Sequence, residues 1–478
     1  MSLSPSILAR LRAIVGAPHL SVAPEDLLTY AYDGSRLEYP PDAVAFPADT
    51  AQVAAIVALA HQEGLPVVPR GAGTGMTGGA LPVAGGLVLA MSRLNRILEI
   101  DTDNGVAVVE PGVITGDLAR AVEARGLFYP PDPASSDFCT IGGNVAECAG
   151  GPRAVKYGVT RDYVLGLTVV LPDGRILPTG VRTAKGVVGY DLTRLFVGSE
   201  GTLGVITRII LRLISRPAGR ETFLVLGQDL AATTRLVAGI LNAGILPCAL
   251  EYLDQACVAL VAPAMPEPLP AATTALLLVE LDGEPAAVDA EARHLSALLA
   301  SAPGLLGFRR AGDRTEARAL WQARREISPA AFRLRPDKLS EDVVVPRSRI
   351  PDLVLFAQAL GRELDLAILT FGHAGDGNIH VNIMVDRQDP AELNRAEAAK
   401  KRLFTQVLAL GGTLSGEHGV GITKAASIGQ ELDPVSLSVM QAIKSLLDPR
   451  DILNPGKIFP GSGPAGGRHG GLAARKSP

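Results

Sequence analysis

A loop rich in glycine is the feature of this sequence that most limits the folds open to it. The loop occupies residues 70–79, contains Gly73-x-Gly75-x-x-Gly78 and follows an apolar run that predicts a strand over Leu65–Pro69. In a Rossmann fold this pattern opens a helix whose N-terminus faces a pyrophosphate. Pro82 and Gly85-Gly86 disfavour that helix here. The sequence therefore predicts a nest of backbone N–H groups around phosphate oxygens rather than a nicotinamide site, and the alternative is a tight surface loop.

The composition predicts a globular protein of enzyme size. The chain has 478 residues, 47% of them hydrophobic, and its formal net charge of −4 gives no long-range attraction to nucleic acid or anionic lipid. Its four cysteines have no CxxC spacing, so we expect buried thiols and no iron–sulfur cluster of the chain's own. Neither a signal peptide nor a membrane span is expected. A cytoplasmic protein is predicted.

Strand and helix patterns alternate along the first half of the chain and predict an α+β fold. Residues 49–64 predict an amphipathic helix, and Pro172-Asp173-Gly174 predicts a hairpin turn. The composition changes near residue 217. We divide the chain into an N-terminal helical segment (1–37), a first domain (38–217), a second domain (218–425), a C-terminal segment that packs on the first domain (426–460) and a disordered tail (461–478).

Two further segments carry groups suited to a large polar ligand. Hydroxyls, an amide and bare backbone lie within twenty residues in Asp132-Pro-Ala-Ser-Ser136, Thr140-Ile-Gly142-Gly143-Asn144 and Gly150-Gly151. They suit a diphosphate and the polar edge of a ring. The segment from Gly198 to Ile206 ends in a β-branched strand whose backbone can pair with a flat heterocycle.

These three segments resemble the FAD-binding domain of the vanillyl-alcohol oxidase superfamily, the PCMH-type fold. The branch that is most similar contains the glycolate oxidase D subunit, D-lactate dehydrogenase and D-2-hydroxyglutarate dehydrogenase, and the resemblance extends from about Tyr30 to Phe459. It implies FAD as cofactor, a PCMH-type domain over 38–217, a ferredoxin-like α+β substrate cap over 218–425 and a short helical segment that returns to the first domain. The residues expected to hold FAD are Pro69, Arg70, Gly71, Ala72, Gly73, Thr74, Gly75, Thr77, Gly78, Gly79, Pro131, Asp132, Ser135, Ser136, Thr140, Gly142, Gly143, Asn144, Gly150, Glu200, Gly201, Gly204, Val205, Ile206 and Asn454.

Three of the seven histidines fall in two short motifs, Gly372–His380 and Ser415–Gly421. The first motif predicts strands over Leu366–Phe371 and Ile379–Val385, joined by a turn at Asp376-Gly377. The period of two along a strand places alternate polar side chains of the second strand on one face, opposite its apolar face. The motif therefore predicts a polar site on an anchored hairpin.

His373 and His380 are the expected ligands of a divalent metal such as Zn, Mn or Fe. The hairpin brings them together, and two histidines with one carboxylate leave open positions for a substrate. Glu417 is the best carboxylate because glycines flank the Glu417-His418 pair, whereas Asp376 lies at the turn and caps the hairpin. In the similar proteins these motifs supply two histidines and a glutamate to a metal, together with a neighbouring histidine, which is His418 here.

A site for the substrate carboxylate is also expected. Helical spacing places Arg324 and Ser328 on one face of a single helix, and Lys338 precedes a buried-looking strand. In similar proteins an arginine, a hydroxyl residue and a lysine at these places bind the carboxylate, and the planar fork of arginine suits it. Asn382, on the face of His380, completes the predicted substrate site.

The function expected from these features is FAD-dependent oxidation of a small 2-hydroxy acid, and the resemblance implies a D-acid of the D-lactate, glycolate or D-2-hydroxyglutarate type. His418 would be the general base, and the flavin would accept the hydride. The resemblance implies that electrons pass to a quinone, a cytochrome, an electron-transfer flavoprotein or an iron–sulfur subunit, at the inner membrane if that partner is there. The alternatives are an oxidase that uses O₂, a FAD-binding subunit of a glycolate oxidase complex, a non-catalytic flavin subunit and a metal-dependent hydrolase. A homodimer is a further possibility.

Overall fold

The first part of the chain contains two main sheets in the computed structural model, which describes residues 3–460. Its elements in chain order are α1 (Pro5–Val15), β1 (Leu20–Ser21), α2 (Pro24–Thr29), β2 (Ala43–Ala45), α3 (Thr50–Glu63), β3 (Val67–Arg70), β4 (Leu87–Ala90), β5 (Ile97–Asp101), β6 (Val106–Val109), α4 (Thr115–Glu123), β7 (Leu127–Phe128), α5 (Ile141–Glu147), α6 (Ala154–Tyr157), β8 (Val164–Val170), β9 (Ile176–Gly180), α7 (Leu192–Phe196), β10 (Val205–Arg212) and β11 (Ile214–Ser215).

The smaller sheet has the order β1-β2-β4-β3, and β4 runs parallel to both of its neighbours. Helix α3 packs on it for reasons visible in the sequence. The Asp49 side chain accepts a hydrogen bond from the Gln52 amide, and Gly64 ends the helix in a left-handed conformation with φ of 64°. The apolar face that the sequence predicts is buried, namely Val53, Ile56, Val57 and Ala60.

The connection between β3 and β4 carries the glycine loop. Parallel neighbours are usually joined through a helix, yet residues 71–86 contain none. Gly73 and Gly78 have φ angles of 71° and 81°, which favour glycine. The prediction of a loop without a following helix is therefore confirmed.

The larger sheet of the first part is antiparallel, with the order β5-β6-β10-β8-β9. Strands β8 and β9 form the hairpin that Pro172-Asp173-Gly174 predicts. Strands β7 and β11 pair separately.

The second part of the chain forms one antiparallel sheet of seven strands. Its elements are β12 (Gly219–Gly227), α8 (Leu230–Asn242), β13 (Ala249–Asp254), α9 (Gln255–Val261), β14 (Ala275–Gly283), α10 (Pro285–Ser301), β15 (Leu305–Arg310), α11 (Arg314–Arg325), α12 (Ile327–Ala331), β16 (Asp337–Val344), α13 (Ile350–Leu364), β17 (Ala367–His373), β18 (Asn378–Val385) and α14 (Pro390–Ala409). The strand order is β15-β12-β14-β13-β17-β18-β16. The α+β fold class is confirmed.

Each face of this sheet packs against helices. One apolar cluster joins Leu250 and Ile379 to α8, α10, α13 and α14, and the cluster on the other face joins Leu253 and Phe371 to α9, α11 and α12. The prediction of one helix through Arg324 and Ser328 is wrong, because α11 ends at Arg325 and Ser328 lies in α12. Pro329 has no N–H to continue the hydrogen bonds of α11.

The chain then returns to the smaller sheet of the first part through α15 (Ile428–Glu431) and α16 (Pro434–Leu447). The Val67 amide donates to the Ile452 carbonyl, and the Asn454 amide donates to the Val67 carbonyl, each at 2.8 Å. Leu453 is buried in the core of that sheet. The tail for which disorder is predicted, 461–478, lies outside the described residues.

All four cysteines are buried free thiols, as the sequence predicts. No helix among residues 3–460 has the length and the apolar character needed to cross a membrane.

Candidate functional site

A row of polar side chains crosses four neighbouring strands on one face of the seven-stranded sheet. Glu251 of β13 lies opposite His373 of β17, and His380 of β18 lies opposite Asp342 of β16. Phe371 lies opposite His380, so His373, two residues further along β17, shares that face. Strand β17 includes His373, where the sequence predicts that the strand has already ended.

Three nitrogen and oxygen atoms converge at the end of this row. His373 Nε2 lies 3.3 Å from Glu417 Oε1 and 3.4 Å from His380 Nε2, and His380 Nε2 lies 3.6 Å from Glu417 Oε1. Ligand atoms about 2.0–2.1 Å from a tetrahedral ion lie about 3.4 Å from one another. The three predicted metal ligands therefore fit one divalent ion.

The charges of these three groups are strongly perturbed by burial and by one another. Burial and the neighbouring His373 lower the pKa of His380 to about 3, so its ring is neutral, as a ligand must be. Burial would lower the pKa of His373, but Glu251 and Glu417 raise it well above its usual range. A bound cation would take the place of that proton.

Glu251 is a residue of the site that the sequence prediction missed. It is fully buried, and its Oε1 lies 2.7 Å from His373 Nδ1 while its Oε2 accepts hydrogen bonds from Arg324. Burial would raise the pKa of Glu251, yet His373 and Arg324 lower it to about 2. The only signal in the sequence was an acid inside an apolar strand, which requires a buried partner.

Asp342 is a second missed residue. Its Oδ2 accepts hydrogen bonds from the backbone amides of Gly416, Glu417 and His418 at 2.8–3.0 Å, and its Oδ1 accepts one from Asn378 at 2.6 Å. Ligand atoms of Asp342, His380, Glu417 and His418 also lie within 4.8 Å of one another. Because its oxygens already have these donors, Asp342 is better suited to positioning the loop than to binding a metal.

His418 lies beside the three predicted ligands and lines the large cleft described below. Its ring stacks on that of His380, with centroids 5.4 Å apart. Its Nδ1 is buried without a hydrogen-bond partner among the described residues and lies 3.9 Å from Asp342 Oδ2. Its Nε2 lies 3.9 Å from Glu417 Oε1.

The predicted anion-binding residues continue the same face of the sheet. Lys338 Nζ donates to Ser328 Oγ at 2.9 Å, so these two residues meet although Ser328 is outside α11. Ser340 Oγ donates to Asn382 Oδ1 at 2.8 Å, and Asn382 Nδ2 is buried without a partner among the described residues. Arg324 does not point freely into solvent, since it is paired with Glu251.

A cleft runs from the glycine loop to Glu417 and His418. Most of the residues predicted to hold FAD line it, namely Pro69, Arg70, Gly71, Ala72, Gly73, Thr74, Gly75, Gly79, Ser135, Thr140, Gly142, Gly143, Asn144, Glu200, Gly201, Gly204, Val205 and Ile206. Lining residues that the sequence prediction missed are Met76, Ala80, Met91, Pro111, Pro133, Ala134, Cys139, Ala146, Glu147 and Ala149.

Other residues predicted to hold FAD do not line the cleft. Thr77 Oγ1 donates to the His418 carbonyl at 3.0 Å, and Asn454 Nδ2 donates to the carbonyls of Gly79 and Glu200, each at 2.7 Å. Thr77 and Asn454 therefore hydrogen-bond to residues that line the cleft, without lining it themselves. The rest of this group are Gly78, Pro131, Asp132, Ser136 and Gly150, and a Cβ on Gly150 would lie 2.9 Å from Glu417 Oε2.

The walls of the cleft fit a cofactor that binds against bare backbone. A Cβ added to Gly142 would lie 2.9 Å from the Pro111 carbonyl oxygen, and one added to Gly79 would lie 2.6 Å from Glu147 Oε1. Helix α5 is short and begins with Thr140 Oγ1 accepting from the Gly143 amide at 3.2 Å. Glycine is therefore required for the packing of these walls, and the bare backbone that results can approach a diphosphate and a planar ring, which FAD carries.

Comparisons with known proteins agree with this architecture. The family described as "FAD linked oxidases, C-terminal domain" matches residues 216–458, and the family described as "FAD binding domain" matches residues 41–180. "Glycolate oxidase subunit GlcD" of Bacillus subtilis (strain 168) is 44% identical over 433 residues, which cover 90% of this chain and 92% of that protein. "D-lactate dehydrogenase" of Anaerostipes hadrus is 36% identical over 436 residues, 87% of this chain and 89% of that protein.

The fold is also similar to that of p-cresol methylhydroxylase with substrate bound, with a TM-score of 0.78, 20% identity and coverage of 95% of this chain and 96% of that chain. The predicted resemblance to the PCMH-type branch is therefore confirmed. The chain belongs to the FAD-linked oxidase family, and it is a FAD-dependent oxidoreductase.

Proposed function

We propose that this protein oxidises a small D-2-hydroxy acid to the 2-oxo acid, with FAD in the cleft and a divalent metal on His373, His380 and Glu417. The relatives named glycolate oxidase subunit and D-lactate dehydrogenase support this substrate class. The observation that carries the proposal is the convergence of three ligand atoms, 3.3–3.6 Å apart, where Glu417 lines the cleft.

His418 is the proposed general base for the substrate hydroxyl. Asp342 lies on the Nδ1 side of the ring and favours the tautomer that carries its proton there. Nε2 is then free to accept the hydroxyl proton. When bound, FAD accepts the hydride from the substrate and the metal supplies Lewis acidity.

Lys338 and Arg324 are proposed to bind the substrate carboxylate. Lys338 is partly buried and has no salt bridge among residues 3–460, so a cation lies on the site face without a counter-ion. Burial and the nearby Arg36 lower the pKa of Lys338 to about 8. Glu251 hydrogen-bonds to both Arg324 and His373. Arg324 is therefore a second cation beside the proposed metal ligands.

Strand geometry bears on the length of the substrate. Lys338 and Asp342 are four residues apart on β16, which separates their Cα atoms by about 13 Å. Because Asp342 lies opposite the proposed ligand His380, Lys338 begins far from the proposed metal. Arg324 is therefore the better partner for the carboxylate of a short acid, whereas Lys338 also suits a longer one. Asn382 lies opposite Ser340, between the positions of Lys338 and Asp342, and its unpaired Nδ2 is proposed to donate to the substrate.

The electron acceptor is proposed to be a partner other than oxygen. The relatives named as subunits support a role within a larger complex, and the iron–sulfur, cytochrome, quinone or flavoprotein partner would determine whether the chain sits at the inner membrane. Assays of the purified chain with D- and L-2-hydroxy acids and an artificial dye test the proposal. Oxidation of a D-acid supports it, absence of turnover with every acid contradicts it, and oxygen consumption at the dye rate would favour an oxidase.

A further inference from the structure

Glu147 is a titratable residue in the cleft that the proposed chemistry does not use. It is the last residue of α5 and lines the cleft, as His418 does. Its Oε2 is shut off from solvent and has no hydrogen-bond partner among the described residues. A buried polar atom without a partner lowers stability, so its presence in a residue that lines the cleft requires an explanation.

The surroundings of Glu147 place its carboxyl between the glycine loop and the loop of His418. A Cβ on Gly79 would lie 2.6 Å from Glu147 Oε1, and a Cβ on Gly419 would collide with Glu147 Oε2. Gly419 directly follows His418. The carboxyl is therefore at the end of the cleft where the substrate is proposed to meet the flavin ring, rather than at the diphosphate.

A second carboxyl group beside it determines its charge. Glu200 accepts hydrogen bonds from the backbone amides of Val420 and Gly421, both at 2.7 Å, so it has the donors that a carboxylate needs. Burial and the proximity of Glu200 raise the pKa of Glu147 well above its usual range. Burial and the adjacent Glu200 carboxylate therefore favour the neutral acid form of Glu147, which has an O–H to donate.

We propose that Glu147 donates a hydrogen bond to the flavin ring of FAD and raises its reduction potential. The inference depends on the proposed placement of FAD in this cleft. A donor stabilises the reduced ring, which carries more electron density, over the oxidised ring. Glu147 thereby favours transfer of electrons from the hydroxy acid to the cofactor, without contacting the substrate.

The test uses the FAD-loaded variants Glu147→Met and Glu147→Gln. Methionine has a similar length and cannot donate, whereas glutamine keeps a neutral donor. We expect Glu147→Met to lower the equilibrium constant for flavin reduction about tenfold, which is about 30 mV for a two-electron couple, and to shift the visible flavin absorbance. Glu147→Gln should stay within about threefold of wild type. Equal potentials and spectra in wild type and Glu147→Met would overturn the inference.

Thermal unfolding of the FAD-free proteins separates this role from a structural one. Replacing an acid without a partner should leave the midpoint of FAD-free Glu147→Met unchanged or raise it. The matched control is Glu392→Met, which removes a buried acid with partners, the Arg335 Nε and the Asp386 amide, each at 2.9 Å. It should lower the midpoint and leave the flavin potential unchanged. A large loss of stability in Glu147→Met, with the potential unchanged, would make Glu147 structural.

A different result would show that FAD does not bind in the cleft. If Gly143→Val, which narrows the cleft, keeps full FAD content, FAD is not bound where we place it. If Gly143→Val loses FAD while Glu147→Met keeps both FAD and the wild-type potential, the placement holds and only the role of Glu147 is overturned.

Discussion

His373 Nε2 lies 3.3 Å from Glu417 Oε1, although the two residues are 44 positions apart in the chain. The first belongs to the hairpin of β17 and β18, and the second to the glycine-flanked loop held by Asp342. Two separate segments therefore have to fold against each other before this pair can form. The metal site that we propose depends on that contact, and so do the positions of His418 and of the end of the cleft.

Replacing His418 by Asn should lower turnover by about 10²- to 10⁴-fold, because a general base is lost. FAD content should stay at the wild-type level. Stopped-flow measurement of flavin reduction by the substrate gives the rate of the step directly. His294→Asn, an exposed change on α10, is the control and should have no effect. Unchanged flavin reduction in His418→Asn would rule out the base.

Gly143→Val should abolish FAD binding while the chain still folds. A Cβ at Gly143 meets only Thr140 Oγ1, at 3.3 Å, so the fold accepts it if that hydroxyl shifts by a few tenths of an ångström, but the residue lines the cleft. FAD content by absorbance and folding by circular dichroism check this together. A folded variant with one FAD per chain would contradict the expectation.

The pH dependence of substrate binding should follow Lys338. Its pKa of about 8 means that it is a cation below that pH and becomes neutral above it. Since the cation is the form that attracts a carboxylate, KM should rise as the pH increases through about 8. Lys338→Arg, which stays charged, should have a flatter profile over this range. A KM that rises equally in both proteins would place the titrating group elsewhere.

Glu251→Gln should lower the free energy of unfolding by about 3 kcal/mol, because a buried ion pair loses one charge and leaves Arg324 and His373 buried. Denaturant titration measures this. Glu251→Gln should also weaken binding of Zn²⁺, since a hydrogen-bonded carboxylate orients a ligating histidine. Glu221→Gln, which removes the half-buried partner of the exposed Arg310, should cost less than about 1 kcal/mol. Equal losses in the two variants would contradict the role of Glu251.

Local patterns predicted the elements of the site better than its partners. Period two along β18 placed His380 and Asn382 on one face, and the glycine pattern without a following helix excluded a Rossmann site. Both predictions depend on neighbours within about ten residues. Glu251 and Asp342 were missed because their partners come from strands and loops far away in sequence. Glu251 looks like an acid in an apolar strand, and Asp342 looks like one of two adjacent acids in a mixed strand, until the strand order is known.

The break between α11 and α12 illustrates a different limit. Helical spacing alone extends through Ser328, yet Pro329 ends the hydrogen bonds of α11. Ser328 still meets Lys338, whose ammonium group donates a hydrogen bond to its hydroxyl. Glu147 was missed for a third reason. Its carboxyl group is recognised only when the structure shows Gly79 beside one of its oxygens and Gly419 beside the unpaired one.

The most direct test of the proposed chemistry is metal removal in the dye-reduction assay. The FAD-loaded protein is treated with a chelator, its metal content is measured, its FAD content is verified, and oxidation of D- and L-2-hydroxy acids is followed before and after addition of Zn²⁺, Mn²⁺ or Fe²⁺. We predict activity with a D-acid that is lost with the metal and restored by one of these ions. Full activity in verified metal-free protein would contradict the account.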